Sequence, residues 1–582
     1  MWKYIKRYLH YAVLASVLMI GEVLMDLLQP TVMSQIVDDG VLGVNSGGVG
    51  DMRLIWTLGL AMVGIALFGG LCGSLNNVFV NLSSQNVGNE IRKDCFRRIM
   101  TLSFPQLDRL GTGSLITRVT NDITQVQNLT AQFVRGMIRT TFLTLGSIYC
   151  MFRINTDFGL IVLCAVPFIA ACLGLCLKKG SPLYSKLQKQ LDIVNSIMQE
   201  DVSGIRIIKA CVREVYEKAR FGKANDELIK TQLRVLFIFA FMNPTVNALM
   251  YMVITVILFH GASTVGVGGT TPGGVMAAIT YATQLLNRIL MLVMLFQSIS
   301  RGFASWKRVK EVLNSEPELK DGPNGGEDLK SRGEIEFRDV SFAYPGGGRP
   351  VISHVSFKIR QGETVAIMGA SGCGKTTLIN LIPRFYDVTE GAVLVDGLDV
   401  REYRQQALRD RVAIVLQRSE LFSQTVYENI AWGDGTASRD EVRQAAITAQ
   451  ADEFISRIPE GYDSVIAERG MSLSGGQKQR ISIARAVLKA AEILIFDDCS
   501  GALDLKTEAD LYEALQRTNP LSTKIIVAQR IATVRRADRI FVMEGGAISA
   551  CGTHEKLLRS CAAYQDIYHS QIGAEDEIDE RA

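Results

Sequence analysis

The residues best suited to chemistry are Gly369, Ala370, Ser371, Gly372, Cys373, Gly374, Lys375, Thr376 and Thr377, which match the spacing G-x-x-x-x-G-K-[ST] at every fixed position. The apolar run Thr364 to Met368 precedes them and Leu378-Ile-Asn-Leu-Ile382 follows, so the pattern predicts a strand, a glycine loop and a helix. Gly369, Gly372 and Gly374 leave room for backbone amides to wrap a chain of phosphates, and the helix N-terminus adds partial positive charge. Lys375 can reach the terminal phosphates, and the Thr376 hydroxyl can join the shell of a Mg2+ ion. A glycine-rich turn that binds nothing is the competing reading, and the flanking strand and helix argue against it. The expected ligands are a nucleoside triphosphate and Mg2+.

A second stretch, Leu473, Ser474, Gly475, Gly476 and Gln477, stands before the helical run Lys478 to Leu488, and small residues at a helix N-terminus make an anion site. The elements that must carry these loops are limited by length and composition. A chain of 582 residues holds more than one domain. Its 62 Lys and Arg nearly balance 59 Asp and Glu, which leaves no bulk charge to hold nucleic acid. None of the 11 cysteines forms a C-x2-C pair and several lie in apolar runs, so they read as reduced, with no structural zinc and no disulfide frame.

The first half of the chain is predicted to be a membrane domain. Apolar runs cover Tyr11 to Gln29, Leu54 to Val80, Phe133 to Met151, Phe158 to Leu177, Val235 to His260 and Val275 to Ile299, each of roughly 20 residues or more, the length a bilayer requires. The third and fourth runs meet at a short turn, Phe152 to Thr156. The opening Met1 to His10 is basic and aromatic, lacks a cleavage-site pattern, and reads as an interfacial helix, not a signal peptide. Loops Asp38 to Asp51 and Ala262 to Pro272 contain no Lys or Arg, whereas the stretches after the second and fourth runs are rich in both. The positive-inside rule therefore puts both long loops and both termini in the cytoplasm, in a multi-pass protein of the cell membrane. Glu22, Asp26, Asn243, Asn247 and Arg288 fall inside the apolar runs, and ionisable groups there are candidates for a substrate path or for helix–helix hydrogen bonds.

Phe104-Pro-Gln-Leu-Asp108 with Thr112 to Asp122, and Gly204-Ile-Arg-Ile-Ile-Lys-Ala210, resemble the two cytoplasmic loops of ATP-binding cassette exporters. In that family each loop bends into a short coupling helix that rests on a nucleotide-binding domain. Beyond the Pro- and Gly-rich linker Ser315 to Gly326, the resemblance continues. Tyr344, at the end of the strand Ile335 to Phe342, is similar to the aromatic that stacks on adenine. Gln417 is similar to the glutamine that touches Mg2+ and senses the membrane domain. Leu473 to Gln477 resembles the signature that closes over the ATP held by the opposite domain of a head-to-tail dimer, and Glu468-Arg469-Gly470 resembles the loop that meets the coupling helices.

The same resemblance exposes departures in the reaction centre. Asp497, ending the apolar strand Ile493 to Phe496, takes the place of the Walker B carboxylate that partners Mg2+. The following residue in the family is a glutamate that orients the attacking water, and here it is Asp498. The family's switch histidine is Gln529, which donates a hydrogen bond but does not titrate near neutral pH. Gly501 stands where the inter-domain loop has serine.

The expected architecture is therefore an all-α six-helix membrane domain (1–310), a linker (311–332), an α/β nucleotide-binding domain (333–570) and an unstructured acidic tail (571–582). The expected function is ATP-driven export as one half of a dimer, with a catalytically degenerate ATP site and an intact signature offered to a heterodimer partner that keeps the glutamate and histidine. An active homodimer and an ATP-gated, channel-like membrane protein are the alternatives. The resemblance implies a small hydrophobic compound, a lipid or a peptide as cargo, with multidrug efflux the commonest role in the family.

Overall fold

The computed structural model describes residues 1–44, 48–323, 332–467, 470, 473–499, 501 and 503–579. Two compact units emerge: Met1–Met100 with Gly113–Ser315, and Thr101–Thr112 with Glu316–Ala582.

The first unit is helical, with long helices at Leu9–Gln35, Met52–Ile99, Ile138–Ile154, Thr156–Ser203, Glu214–Gly266 and Pro272–Asn314, one over each apolar run. Among the described residues, Leu9–Val41, Met52–Ile99 and Glu214–Gly266 are long and apolar enough to cross a membrane, and Thr156–Cys172 is a shorter apolar stretch. The Met52–Ile99 helix shows why such a sequence folds this way. Asp51 caps it by accepting hydrogen bonds from the Arg53 and Leu54 amides. Gly69, Cys72, Asn76, Val80 and Ser83 recur at helical spacing on its buried face, whereas Leu60, Leu67 and Leu71 point outward. Small residues inside and large apolar ones outside is the arrangement for helices packed in lipid. A Cβ on Gly69 would lie 3.1 Å from the Met25 Cβ, so the glycine permits close approach of the first two long helices. The third and fourth long helices are separated by Asn155 alone, whose side chain accepts from the Asp157 amide. The short helix Ile205–Ala210 lies between the fourth and fifth.

The second unit is built on two sheets. Strands β1 (Ile335–Phe342), β2 (Ile352–Ile359), β4 (Glu390–Val395) and β5 (Leu398–Asp399) form an antiparallel sheet in the order β2-β1-β4-β5. Strands β3 (Thr364–Gly369), β6 (Val412–Val415), β7 (Ile493–Asp497), β8 (Thr523–Val527), β9 (Arg539–Glu544) and β10 (Ala547–Gly552) form the other, in the order β10-β9-β3-β8-β7-β6. Strands β9, β3, β8, β7 and β6 are mutually parallel. β7 and β8 are buried along their whole length, as expected of central strands in a parallel sheet covered on both faces, polar only at the start of β8 (Thr523, Lys524) and the end of β7 (Asp497).

The segment Thr101–Thr112, grouped by sequence with the membrane half, packs with this second unit. Its helix Phe104–Leu110 opens on a capping box between Ser103 and Gln106. The Phe104 ring lies 4.5 Å from that of Phe385, and the Tyr386 hydroxyl donates to Asp108 at 2.6 Å. Burial and the Asp108 carboxylate push the Tyr386 phenol well above its ordinary range. In place of the expected unstructured tail, residues 571–579 continue the helix Ala562–Asp579, and 580–582 lie outside the described residues. That helix is seeded upstream, where Tyr564 is fully buried and Ile567 and Tyr568 pack on the core, so its docked face carries the following residues with it.

Candidate nucleotide site

Four neighbouring parallel strands, β3, β8, β7 and β6, end on the same edge of the large sheet, and each delivers site residues just past its carboxyl end. That edge is where open α/β sheets bind ligands. β3 runs into the glycine loop, β8 into Gln529, β7 into Asp497 and Asp498, and β6 into Gln417. Ser371, Gly372, Gly374, Lys375, Thr376, Thr377, Gln417, Asp497, Asp498 and Gln529 converge on one pocket of about 210 Å3. Val351 and Val527 also line it, and nothing in their sequence positions singles them out.

Local chemistry fixes the loop. Gly369, Gly372 and Gly374 all have positive φ, and a Cβ on Gly369 would lie 2.3 Å from the Met543 carbonyl oxygen. Gly374 caps the helix Lys375–Asn380, which ends two residues before the apolar pattern does at Ile382. The Lys375 ammonium donates to the Gly369 and Ala370 carbonyls at 2.8 and 2.9 Å and lies 3.8 Å from the Cys373 sulfur. The Thr376 hydroxyl donates to Asp497 Oδ1 at 3.0 Å, tying the loop to β7. Asp497 is 1% exposed, and burial, helped by the neighbouring Asp498 charge, raises its carboxyl above the ordinary range.

Asp498 sits in the left-handed region, at φ 48°. Its Oδ2 accepts two amides, Gln529 Nε2 at 2.9 Å and Gln417 Nε2 at 3.4 Å. The two glutamines and the aspartate thus form one hydrogen-bonded set, a relation that sequence spacing does not reveal. Tyr344 lies two residues past β1, where its hydroxyl shares a 3.0 Å hydrogen bond with Thr377 and its ring meets Phe342 and Tyr386 edge-on.

Leu473 to Gln477 do not line this pocket. Gly475 opens the helix Gly475–Leu488, and Ser474 and Gln477 close a capping box on it. Ser474 and Gly475 are exposed. Glu468, Arg469, Ser500 and Ala502 lie outside the described residues.

In the first unit, Glu22 and Asp26 have a partner that sequence reasoning missed. Arg139 Nη2 is 2.8 Å from Glu22 Oε1 and 3.1 Å from Asp26 Oδ2. Arg288 lies within electrostatic reach of all three. The signal was present, since Arg139 interrupts the third apolar run. The Asn243 side chain lies outside the described residues.

Comparison with known proteins places both units. Residues 13–289 match the family model described as ABC transporter transmembrane region, and residues 352–501 match the one described as ABC transporter. An uncharacterized ABC transporter ATP-binding protein of Bacillus subtilis is 38% identical over 572 residues, covering 98% of each chain. An ATP-dependent lipid A-core flippase of Syntrophus aciditrophicus is 34% identical over 521 residues, or 90% of this chain and 86% of its own. The solved structure of a bacterial Atm1-family ABC exporter with ATP bound superposes with a TM-score of 0.80 at 27% identity, covering 97% of this chain and 98% of that one.

Proposed function

The chain belongs to the ABC transporter family as an exporter half-transporter, a helical membrane domain followed by an ATPase domain, and we propose that its own ATP site holds nucleotide more than it hydrolyses it. The family's reaction is ATP hydrolysis coupled to transport: water attacks the γ-phosphorus, the bond to the bridging oxygen of ADP breaks, and a proton leaves the water. In this chain the glycine-loop amides and Lys375 bind the phosphates, with the Lys375 ammonium exchanging its loop carbonyls for phosphate oxygens. Tyr344 stands at the adenine side. The donor set fits Mg2+: the Thr376 hydroxyl and the Asp497 carboxylate adjoin, and Gln417, whose amide nitrogen is engaged by Asp498, has a side-chain carbonyl oxygen of the kind Mg2+ takes. Bound there, Mg2+ supplies neutralisation of charge on the phosphates.

The observation that carries the reading is the environment of Asp498. Its carboxylate is one methylene, about 1 Å, shorter than a glutamate, and a misplacement on that scale costs about 100-fold in rate. Both groups that hold it are amides, which do not take up the water's proton. A partner half-transporter with glutamate and histidine at these positions would form the productive site with this chain's Leu473 to Gln477. The chain is a multi-pass membrane protein, and the Lys and Arg asymmetry of its loops supports cytoplasmic termini. We take an amphipathic, lipid-like molecule as the cargo in preference to a small hydrophobic drug, on the strength of the flippase relative and of the charged cluster Glu22, Asp26 and Arg139 within the apolar helices.

The test is steady-state ATP hydrolysis by the chain purified alone beside Asp498→Glu/Gln529→His. A nearly silent native chain and a variant about 100-fold faster are expected. A native chain that alone turns over at roughly 1–100 per second overturns the reading in favour of a working homodimer.

A further inference from the structure

The segment Gln529-Arg530-Ile531 carries two side chains into the reaction centre. The Gln529 amide holds Asp498 at 2.9 Å. Arg530 donates to the Leu503 and Gly501 carbonyls at 3.1 and 3.2 Å, fixing the loop that follows Asp498. The backbone on both sides of Arg530 is gripped by one residue of the C-terminal helix. Gln571 Oε1 accepts from the Ile531 amide at 2.8 Å, and Gln571 Nε2 donates to the Gln529 carbonyl at 2.7 Å. A primary amide suits this task because it offers an acceptor and a donor side by side. The grip has a rigid base, since Tyr564 on the same helix is fully buried and its hydroxyl shares a 2.7 Å hydrogen bond with His554 Nδ1.

We propose that Gln571 is a positioning residue for ATP turnover, bracing the 529–531 segment so that the Gln529 amide and Arg530 keep Asp498 and its following loop in register. The residue touches neither nucleotide nor metal donors, so its effect passes through the backbone it holds. A slack of even a fraction of an ångström in Gln529 moves Asp498, and active-site geometry is steep in displacement.

The experiment is ATP hydrolysis by the full-length chain with Gln571→Ala or Gln571→Glu, each made in the native chain and in Asp498→Glu, with hydrogen exchange of residues 529–534 followed in parallel. Reading both backgrounds separates this inference from the rate proposed for the native site. Gln571→Glu matters because it fills the same volume, keeps the acceptor for Ile531 and turns the donor into a lone pair against the Gln529 carbonyl. Both variants are expected to lower kcat about 10-fold, to leave KM for ATP within about twofold, and to speed exchange at 529–534. Added to Gln529→Ala, Gln571→Ala is expected to cause no further loss, because the side chain it positions is gone. Unchanged kcat, losses that multiply with those of Gln529→Ala, or a Gln571→Glu variant as active as the parent would each overturn the proposal.

Discussion

Asp498 illustrates how one residue serves conformation and chemistry at once. A non-glycine residue at φ 48° is strained, and aspartate tolerates that region better than glutamate does. Restoring the glutamate thus lengthens the carboxylate at a small cost in stability. Asp497 presents the opposite trade. Its raised carboxyl means that the native state binds the proton more tightly than the unfolded chain does. Stability present at low pH is therefore lost as pH rises from the ordinary carboxylate range toward the raised native value, and at neutral pH the buried charge is a net cost. Asp497→Asn is expected to raise the thermal midpoint of the nucleotide-free chain and to erase the further rise that Mg-ATP gives. Calorimetry with and without Mg-ATP checks both, and a lower midpoint without nucleotide would contradict the account.

Between elements, pairs of opposite charge decide what packs. Arg308, on the Pro272–Asn314 helix, holds Asp122 bidentately at 2.8 and 2.5 Å. Burial works to raise the Asp122 carboxyl, and the Arg308 bonds outweigh it and hold the group below the ordinary range. The stability this pair contributes is present above the unfolded value and fades as pH falls through the native one, below about pH 4. Arg308→Ala is expected to cost about 2 kcal/mol at pH 7 and progressively less as pH falls below about 4, measured by denaturant unfolding in detergent. The cluster of Glu22, Asp26 and Arg139 follows the same logic in a harsher solvent. Arg139→Met removes the cation that bonds both carboxylates and leaves only the more distant Arg288, so it is expected to lower the thermal midpoint more than Glu22→Gln/Asp26→Asn/Arg139→Met does. If the triple variant is the less stable of the two, the cluster is not held together by charge.

At the scale of the whole molecule, the pocket and the Leu473 to Gln477 stretch, exposed at Ser474 and Gly475, call for a second nucleotide-binding domain. On the proposed reading this chain contributes half of each site in a dimer. Ser474→Arg places a bulky cation where the helix N-terminus would meet the partner's ATP. It is expected to abolish ATP hydrolysis by the assembled transporter while leaving ATP affinity of this chain alone within about twofold. A matching loss of affinity in the isolated chain would place the stretch at its own site instead.

The sequence by itself determined what local chemistry can encode. Glycine spacing with Lys375 and Thr376 specified a phosphate loop, apolar runs specified the long helices, and an alternating pattern specified β1, because each depends on residues close in the chain. The departures at Asp498 and Gln529 were visible for the same reason. Tertiary structure decided which distant residues meet. Strand order alone brings Gln417, Asp498 and Gln529 to one edge, and no spacing rule links positions 417, 498 and 529. Helix packing chose Arg139 as the counter-ion of Glu22 and Asp26, and the Phe104–Leu110 helix joined the second unit through Phe385 and Tyr386. The tail read as unstructured because its charges offer no apolar face. Its helix instead follows from the docking of Tyr564, upstream of those charges, which only a folded core could supply.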